Sequence, residues 1–208
     1  MFDLFAGTGS STQAFVDAGH NVVSFELDSR FEATETVDVL ALNASDLTER
    51  YGTPDFLWAS PPCTAFSVAS IGHHWTGGKG AYVPKTEAAT YNQGLVWKAR
   101  QLAETLDPRF GFLIENPRGM LRKLAPVQGL TRRTVTYCQY GDDRMKPTDL
   151  WGEVPGWEAR PACSNGSSCH VSAPRGSRTG TQGRENAVER SRVPHDLGRE
   201  ILEAIESV

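Results

Sequence analysis

Long apolar runs are missing from this sequence of 208 residues, and that absence excludes one class of protein. No stretch approaches the ~18 apolar residues that a membrane-spanning helix requires. The amino terminus also lacks the charged-then-apolar layout of a signal peptide. We therefore expect a cytosolic protein without a membrane partner. A hydrophobic content of 39% over this length suits one domain with a substantial core.

Cysteine is also scarce, and the four residues, Cys63, Cys138, Cys163 and Cys169, are irregularly spaced. Strand-like apolar runs alternate with amphipathic stretches, as is typical of an α/β chain. In such a chain, a few irregular cysteines favour catalysis or metal binding over a disulfide framework.

Basic residues are few in the first part of the chain. From Met1 to Asp55, ten acidic residues stand against two basic ones. The balance reverses later, with seven basic against two acidic residues from Arg118 to Lys146, and five arginines against two glutamates from Cys163 to Arg192. This asymmetry predicts a phosphate-bearing partner on the C-terminal side, although solvated surface charge would give the same pattern.

The stretch from Asp55 to Ser67 places one thiol in a distinctive setting. Residues 55–59 read as a short buried strand, and Pro61-Pro62 cannot donate the N–H groups that would extend it. Cys63 is therefore expected on a loop at the carboxyl end of a strand, where ligands bind in open α/β sheets. A small buried hydrophobic residue is the alternative reading.

The chain opens on a strand and a glycine turn, which together predict a cofactor site. Gly7 and Gly9 allow a sharp bend beside a bound molecule, and the next strand ends in Glu26, a placement suited to ribose hydroxyls. The third glycine of a dinucleotide motif is absent, and the surroundings are acidic. These features favour a cationic, phosphate-free nucleoside, and S-adenosylmethionine fits best.

Further acids stand where strands are expected to end. Val37 to Leu42 is predicted to form a third strand, and the following Asp46 either caps a helix or reaches an adenine amino group. Gly111 to Ile114 is another apolar strand, followed by Glu115. Since these carboxyl ends share one edge of a doubly wound sheet, the glycine turn, Cys63 and Glu115 should open into one cleft.

Between these motifs, Gly72 to Gly80 reads as a flexible loop. Its adjacent His73 and His74 could bind a metal but lack partners at ligand spacing, so a mobile lid beside the thiol is favoured. Thr86 to Leu106 is the longest expected helix, with its apolar face toward the core.

These motifs resemble, in the same order, those of the DNA cytosine-5 methyltransferase family over about the first 120 residues. Asp3 to Ser10 (DLFAGTGS) is similar to its cofactor motif, and Phe25 to Asp28 (FELD) to its ribose-binding acid. Ser60 to Ser67 (SPPCTAFS) resembles its Pro-Cys motif, and residues 115–117 resemble its Glu-Asn-Val motif, with proline in place of valine. Enzymes that methylate amino groups instead carry Asp/Ser/Asn-Pro-Pro followed by an aromatic residue, whereas Ser60-Pro61-Pro62 is followed here by Cys63.

The resemblance implies a Rossmann-like class I methyltransferase fold: an α/β sheet, mostly parallel with one antiparallel strand, plus a small irregular C-terminal insertion. It implies Cys63, Glu115, Arg144 and Lys146 as catalytic residues. The implied residues for binding S-adenosylmethionine are Asp3, Phe5, Ala6, Gly7, Gly9, Ser10, Glu26, Leu27, Asp46, Ser60 and Pro61.

The chemistry explains this combination of residues. Carbon 5 of cytosine must be activated before it can attack a methyl sulfonium, and addition of the Cys63 thiolate to carbon 6 achieves this. Glu115 would meet the charge that develops at N3 and the exocyclic amine. The base must be flipped out of a DNA duplex, or be single-stranded, to reach the thiol.

The back half of the chain resembles the family more faintly. Arg132 to Cys138 reads as a strand, and Arg144 and Lys146 stand near the family's Gln-x-Arg-x-Arg motif. We expect them to contact phosphate or a base carbonyl, and solvated charge is the alternative. Pro161 to Arg192 is too poor in apolar residues for a core. Its Cys163, Cys169 and His170, with Cys138, could form a zinc site, and free thiols on a disordered loop are the alternative.

We expect one domain over residues 1–208. Its parts are a cofactor-binding part (1–60), a catalytic part (61–151), a recognition or zinc-binding insertion (152–192) and a C-terminal helix that packs on the core (193–208). The predicted function is methylation of cytosine C5 in DNA by a cytoplasmic, bacterial or phage-type monomer. Whether a protein partner helps in target recognition is left open. The alternatives are the same chemistry on RNA or a free nucleotide, and a catalytically silent nucleic-acid-binding homologue.

Overall fold

The computed structural model of the protein describes residues 1–78, 81–172 and 186–208. Its strands are β1 (Phe2–Leu4), β2 (Val23–Glu26), β3 (Glu35–Thr36), β4 (Leu57–Ala59), β5 (Trp75–Gly78), β6 (Ala81–Pro84), β7 (Phe112–Pro117), β8 (Arg132–Thr136) and β9 (Pro147–Glu153). Its α-helices are α1 (Gln13–Asp17), α2 (Ala44–Tyr51), α3 (Ile71–His74), α4 (Glu87–Leu106), α5 (Ala187–Ser191) and α6 (His195–Glu206).

Seven strands form one sheet in the order β3-β2-β1-β4-β7-β9-β8. β1, β2, β3, β4 and β7 are parallel neighbours, whereas β9 runs antiparallel to both β7 and β8. The predicted class, a mostly parallel class I methyltransferase sheet with one antiparallel strand, is confirmed. The strand order reverses between β1 and β4, so their carboxyl ends border a crevice.

Both faces of the sheet are buried, and β4 shows how its residues divide. Leu57 and Ala59 face a cluster that includes residues of α4, whereas Trp58 belongs to a second cluster with residues of α6. None of the three is exposed. Continuous apolar strands are typical of parallel sheets covered on both sides, and they fix the loop ends at the sheet edge.

The expectation of a third strand over Val37 to Leu42 is wrong. The strand is Glu35–Thr36, and Val39–Ala41 forms a 3-10 helix whose N-cap, Asp38, accepts a hydrogen bond from the Leu40 N–H at 2.9 Å. The apolar residues in this stretch pack beside α4 instead of joining the sheet. The strand therefore ends earlier along the chain than its composition indicates.

The segment that reads as a flexible loop contains regular structure. Residues 71–74 form α3, and β5 pairs antiparallel with β6. Trp75 is buried and donates from Nε1 to the Ala65 carbonyl at 2.7 Å, and His74 Nδ1 lies 2.7 Å from Thr86 Oγ1. Trp75 thus anchors the base of this hairpin to the loop that carries Cys63. Residues 79 and 80 lie outside the described residues, and the mobile lid stays a prediction.

The C-terminal helix begins after Pro194, as the sequence predicts, and buries Leu197, Ile201 and Ile205 in the second cluster. It packs on α1, and His20 Nε2 lies 2.9 Å from a Glu206 carboxylate oxygen. In the described part of the chain, no helix is long and apolar enough to cross a membrane.

Candidate active site

Two adjoining clefts open at the carboxyl ends of β1 and β4. The cofactor-side cleft has a volume of about 260 Å³ and is lined by residues that include Glu26, Leu27 and Asp38. The thiol-side cleft has a volume of about 340 Å³ and contains Cys63 and Glu115. Phe5, Ser60 and Pro62 line both, so the two clefts share a wall.

The glycine turn after β1 has a backbone that most residues avoid. Phe5, Gly7 and Gly9 have φ values of 64°, 51° and 70°, in the left-handed region. Asp3 stabilises this turn from below, because Oδ2 accepts hydrogen bonds from Ser11 Oγ at 3.1 Å and Thr12 Oγ1 at 2.8 Å. Asp3 is fully buried, lines neither cleft and acts as a support.

Other residues of the turn face the thiol-side cleft. Ala6, Gly7 and Ser10 line it, whereas Gly9 shapes the turn by donating its N–H to the Ala6 carbonyl at 2.8 Å. Ser10 Oγ accepts from the Val193 N–H at 3.0 Å and so ties the turn to the segment before α6.

Glu26 is held at the carboxyl end of β2 by backbone donors. Its Oε2 accepts from the Gly7 N–H at 2.9 Å, and its Oε1 accepts from the N–H groups of Leu27 at 2.8 Å and Asp28 at 2.9 Å. Leu27 is 59% exposed at the cleft rim. These contacts fix the carboxylate while leaving it at the surface of the cofactor-side cleft.

Asp46 is not brought to this cleft. It lies in the first turn of α2, whose N-cap is Asn43, and it does not line the cofactor-side cleft. Asp38 occupies the position expected of it, with Oδ2 accepting from the Tyr91 hydroxyl at 2.8 Å. The reason is the early end of β3. The sequence signal for that end was Asp38, because aspartate favours Asx turns.

The loop that carries Cys63 is fixed through its proline carbonyls. The Pro61 carbonyl accepts from Asn116 Nδ2 at 2.8 Å, and the Pro62 carbonyl accepts from Asn92 Nδ2 at 3.3 Å. Pro61, Pro62 and Cys63 all line the thiol-side cleft, and the thiol is accessible there. Asn116 of β7 and Asn92 of α4 thus position the thiol without contacting it.

Glu115 lies at the inner wall of the thiol-side cleft and is 5% exposed. Its Oε1 accepts from the Tyr137 hydroxyl at 2.9 Å. Burial raises the pKa of the Glu115 carboxyl, with Lys146 opposing that shift. Burial also raises the pKa of the Cys63 thiol, and the Glu115 charge adds to it, whereas Lys146 and Arg190 lower it. A protonated Glu115 would remove this repulsion and gain a proton to donate.

The two predicted basic residues have different surroundings. Lys146 lines the cleft with its Nζ 4.4 Å from the centroid of the Tyr137 ring. Arg144 is 3% exposed and does not line the cleft. It is paired with Asp142 and donates from Nη1 to the Glu189 carbonyl at 2.8 Å. The expectation that Arg144 contacts phosphate or base is therefore wrong, because its guanidinium is committed to the fold.

A part of the cleft that the sequence did not indicate comes from α5. Ala187, Arg190 and Ser191 line the thiol-side cleft, opposite the glycine turn. Arg144 anchors this helix through the Glu189 carbonyl. From the sequence, the arginines of this region entered only the charge balance of the C-terminal side. A helix of five residues is too short for its periodicity to be recognised in the sequence.

The structure brings the predicted metal ligands together away from the cleft. The ligand atoms of Cys138, Cys163, Cys169 and His170 all lie within 4.8 Å of one another. Cys138 follows β8, and the other three lie on the irregular segment 161–172. Within the described ranges of the chain, this is the only group of at least three such residues with converging ligand atoms.

Known proteins are similar to this chain in sequence and in fold. The model of the C-5 cytosine-specific DNA methylase family matches residues 1–126. The "Probable DNA (cytosine-5)-methyltransferase" of Frog virus 3 (isolate Goorha) is 31% identical over 174 residues, which are 81% of this chain and 77% of that protein.

Solved structures of low identity share the fold. A DNA modification methyltransferase candidate encoded within an E. coli prophage matches with a TM-score of 0.51 and 21% identity over 74% of this chain and 45% of that one. The methyltransferase EhMeth of Entamoeba histolytica matches with a TM-score of 0.51 and 10% identity over 80% of this chain and 57% of that one. The chain thus spans about half the length of these two structures. By the family model and the viral relative together, the chain belongs to the C-5 cytosine-specific DNA methylase family.

Proposed function

We propose that this protein transfers a methyl group from S-adenosylmethionine to carbon 5 of cytosine in DNA. The observation that carries the proposal is the accessible Cys63 thiol in one cleft with the buried Glu115 carboxyl, beside an acidic groove at the switch point of the sheet. Family membership supports the same reaction.

The donor set of the cofactor-side cleft fits S-adenosylmethionine. Among the described residues, its lining includes three acids, Glu26, Asp28 and Asp38, and no lysine or arginine. Such a groove repels phosphate and suits a cationic nucleoside. Glu26 would accept the ribose hydroxyls, Asp38 the adenine amino group, and Phe5 would contact the adenosine. When bound, the cofactor supplies an electrophilic methyl group.

Cys63 would begin the reaction at the base. Its thiolate adds to carbon 6 of cytosine while Glu115, whose raised pKa favours the protonated form, donates a proton to N3. The new S–C6 bond leaves electron density on carbon 5, which would form the bond to the methyl group as the S–CH3 bond of the donor breaks and S-adenosylhomocysteine leaves. Loss of the C5 proton to solvent, return of the N3 proton to Glu115 and cleavage of the S–C6 bond then release 5-methylcytosine and regenerate both the thiolate and the protonated carboxyl.

Lys146 and Arg190 would support the charges of this sequence. Both lie on the cleft lining, and both lower the pKa of the Cys63 thiol. A cation there stabilises the thiolate and the oxygen of the activated ring. Lys146 is thus the better candidate for base contact, in the role that the sequence suggested for Arg144 as well.

The test combines product analysis with adduct trapping. Wild type, Cys63→Ser and the exposed-neighbour control Val68→Ala are incubated with duplex DNA and labelled S-adenosylmethionine. We expect 5-methylcytosine from wild type and Val68→Ala, and none from Cys63→Ser. DNA containing 5-fluorocytosine should form a covalent adduct with wild type and with Val68→Ala but not with Cys63→Ser.

Parallel incubations with RNA and with free cytidine nucleotides separate the alternatives. Methylation of either one in place of DNA would replace the substrate in this proposal but keep its chemistry. Binding of cofactor or DNA without product or adduct would overturn it in favour of a silent nucleic-acid-binding homologue.

A further inference from the structure

The three thiols and one imidazole outside the cleft have the spacing of ligands around one ion. Cys163 Sγ lies 3.1 Å from Cys169 Sγ and 3.5 Å from His170 Nδ1. Cys169 Sγ lies 3.6 Å from Cys138 Sγ and from His170 Nδ1. Zn–S bonds of about 2.3 Å and Zn–N bonds of about 2.0 Å at tetrahedral angles separate ligand atoms by roughly 3.5–3.8 Å. Three of these four distances match that range, and the Cys163–Cys169 distance is shorter.

We propose that Cys138, Cys163, Cys169 and His170 hold a structural zinc ion. Three sulfurs and one nitrogen form a closed tetrahedral Cys3His set, which favours zinc and leaves no position for a catalytic water. A disulfide does not account for the cluster, since it would pair two sulfurs and leave the third thiol and the imidazole unexplained. His170 Nε2 lies 3.5 Å from Ser172 Oγ, a partner that can orient the ring.

The segment 161–172 needs such an ion because it has no core of its own. Each of its residues is exposed except Cys163 and His170, which are partly buried. Its backbone contacts to the preceding structure include the Cys163 N–H to Thr136 Oγ1 at 2.8 Å and the Val171 N–H to the Asp143 carbonyl at 2.9 Å. Ion coordination would supply the folding free energy that apolar burial does not.

The ion would also stiffen one wall of the thiol-side cleft. Cys138 directly follows Tyr137, whose hydroxyl orients Glu115. The segment on the other side bonds to Asp143, next to the Asp142–Arg144 pair that anchors α5. Zinc would thus join the insertion to both supports of the active site. This consequence rests on the proposed function, whereas the metal site does not.

Metal analysis of the untagged full-length protein is the first test. We expect roughly one zinc per chain after gel filtration. Replacement by Co²⁺ should give thiolate-to-cobalt charge-transfer bands and intense visible bands of a tetrahedral site. Less than about a tenth of a zinc per chain, together with weak octahedral cobalt bands, would overturn the proposal.

Variants locate the ion and separate this site from the active site. Cys163→Ser and His170→Ala should bind zinc at least about tenfold more weakly, and Ser164→Ala, an exposed neighbour, should bind it as wild type does. Cys63→Ser should keep a full complement of zinc and the cobalt spectrum while losing methyl transfer. Full zinc in both ligand variants would contradict the assignment. If those variants do not fold, the cobalt spectrum of wild type decides.

Discussion

At the residue scale, the site depends on how three ionisable groups influence one another. Cys63 and Glu115 share a cleft that disfavours both negative charges, and Lys146 opposes both effects. The same desolvation lowers the pKa of Lys146, with Glu115 opposing that shift. The substrate-free site therefore disfavours two neighbouring anions at Cys63 and Glu115. In the proposed reaction, carbon 6 of the bound cytosine accepts the electron pair of the thiolate.

The electrostatics predict how fast Cys63 reacts with iodoacetamide at different pH values. Its alkylation in wild type should follow a pKa above that of an ordinary cysteine. Glu115→Gln should lower this apparent pKa, because the carboxylate repulsion is gone. Lys146→Met should raise it, because a stabilising cation is lost. Peptide mapping by mass spectrometry measures the rate at Cys63 alone, and opposite shifts in the two variants would contradict the described arrangement.

A second residue-scale prediction concerns Asp3. Burial raises its pKa to about 7, so the folded state binds a proton that the unfolded chain has released. Stability is then lost as pH rises from about 4 to about 7. Asp3→Asn should gain about 2–3 kcal/mol in unfolding free energy relative to wild type between pH 5 and pH 8. Urea denaturation at both pH values measures this difference. The exposed-acid control Asp46→Asn should show no comparable trend.

At the element scale, residue patterns predicted the continuous apolar strands and the long helix well. Thr86 caps α4, accepting from the Ala89 N–H, and the helix runs to Leu106 as its periodicity predicts. Val37 to Leu42 was wrong because a short apolar run cannot distinguish a strand from an apolar turn packed under a helix. The expected position of Asp46 beside the cofactor was wrong for the same reason, since Asp46 lies in the first turn of α2. The base of the β5–β6 hairpin was missed because its anchor, Trp75 to Ala65, is a tertiary contact.

The candidate site also divides into residues with a local sequence signal and residues placed by tertiary contacts. Cys63, Glu26 and Glu115 were predictable because strand ends in a parallel sheet share one edge. The commitment of Arg144 to Asp142 and α5, and the approach of Arg190, depend on contacts distant in sequence. No local pattern of charge distinguishes a buried arginine from a solvated one.

An element-scale prediction concerns the 3-10 segment Met120–Lys123, which is joined to the sheet by a buried ion pair. Arg122 pairs with Asp149 of β9, which is fully buried and also accepts from Thr134 Oγ1 at 2.7 Å. Arg122→Met should cost about 3 kcal/mol of unfolding free energy, because it leaves a buried charge without its partner.

Urea denaturation provides the measurement, and two further variants test the cause. Adding Asp149→Asn to Arg122→Met should recover part of the loss, because the unpaired charge is gone. Arg132→Met, at an exposed arginine, should cost less than about 0.5 kcal/mol. A loss in Arg122→Met no larger than that control would show that the pair contributes little.

At the scale of the whole molecule, the sheet joins the two clefts through the wall that Phe5, Ser60 and Pro62 share. Acids of the front half, Glu26, Asp28 and Asp38, line the cofactor-side cleft, and α5, near the end of the insertion, contributes Arg190 to the thiol-side cleft. Under the proposed function, the charge asymmetry of the sequence would separate a cationic ligand from a polyanionic one. The two halves would be specialised, and ligand binding to one should be measurable without the other.

This separation predicts thermal stabilisation by S-adenosylhomocysteine, the demethylated cofactor. A ligand at 100 times its Kd stabilises the folded state by about 2.7 kcal/mol, which corresponds to a rise in Tm of roughly 5–10 °C at this chain length. Cys63→Ser should keep the full shift, because Cys63 lines the thiol-side cleft and not the cofactor-side cleft. Glu26→Ala should lose most of the shift, whereas Glu32→Ala, which removes an exposed acid outside the groove, should keep it. Differential scanning fluorimetry with and without ligand gives each value, the ligand-free scan showing that each variant folds. An equal shift in Glu26→Ala and wild type would place the ligand outside the acidic groove.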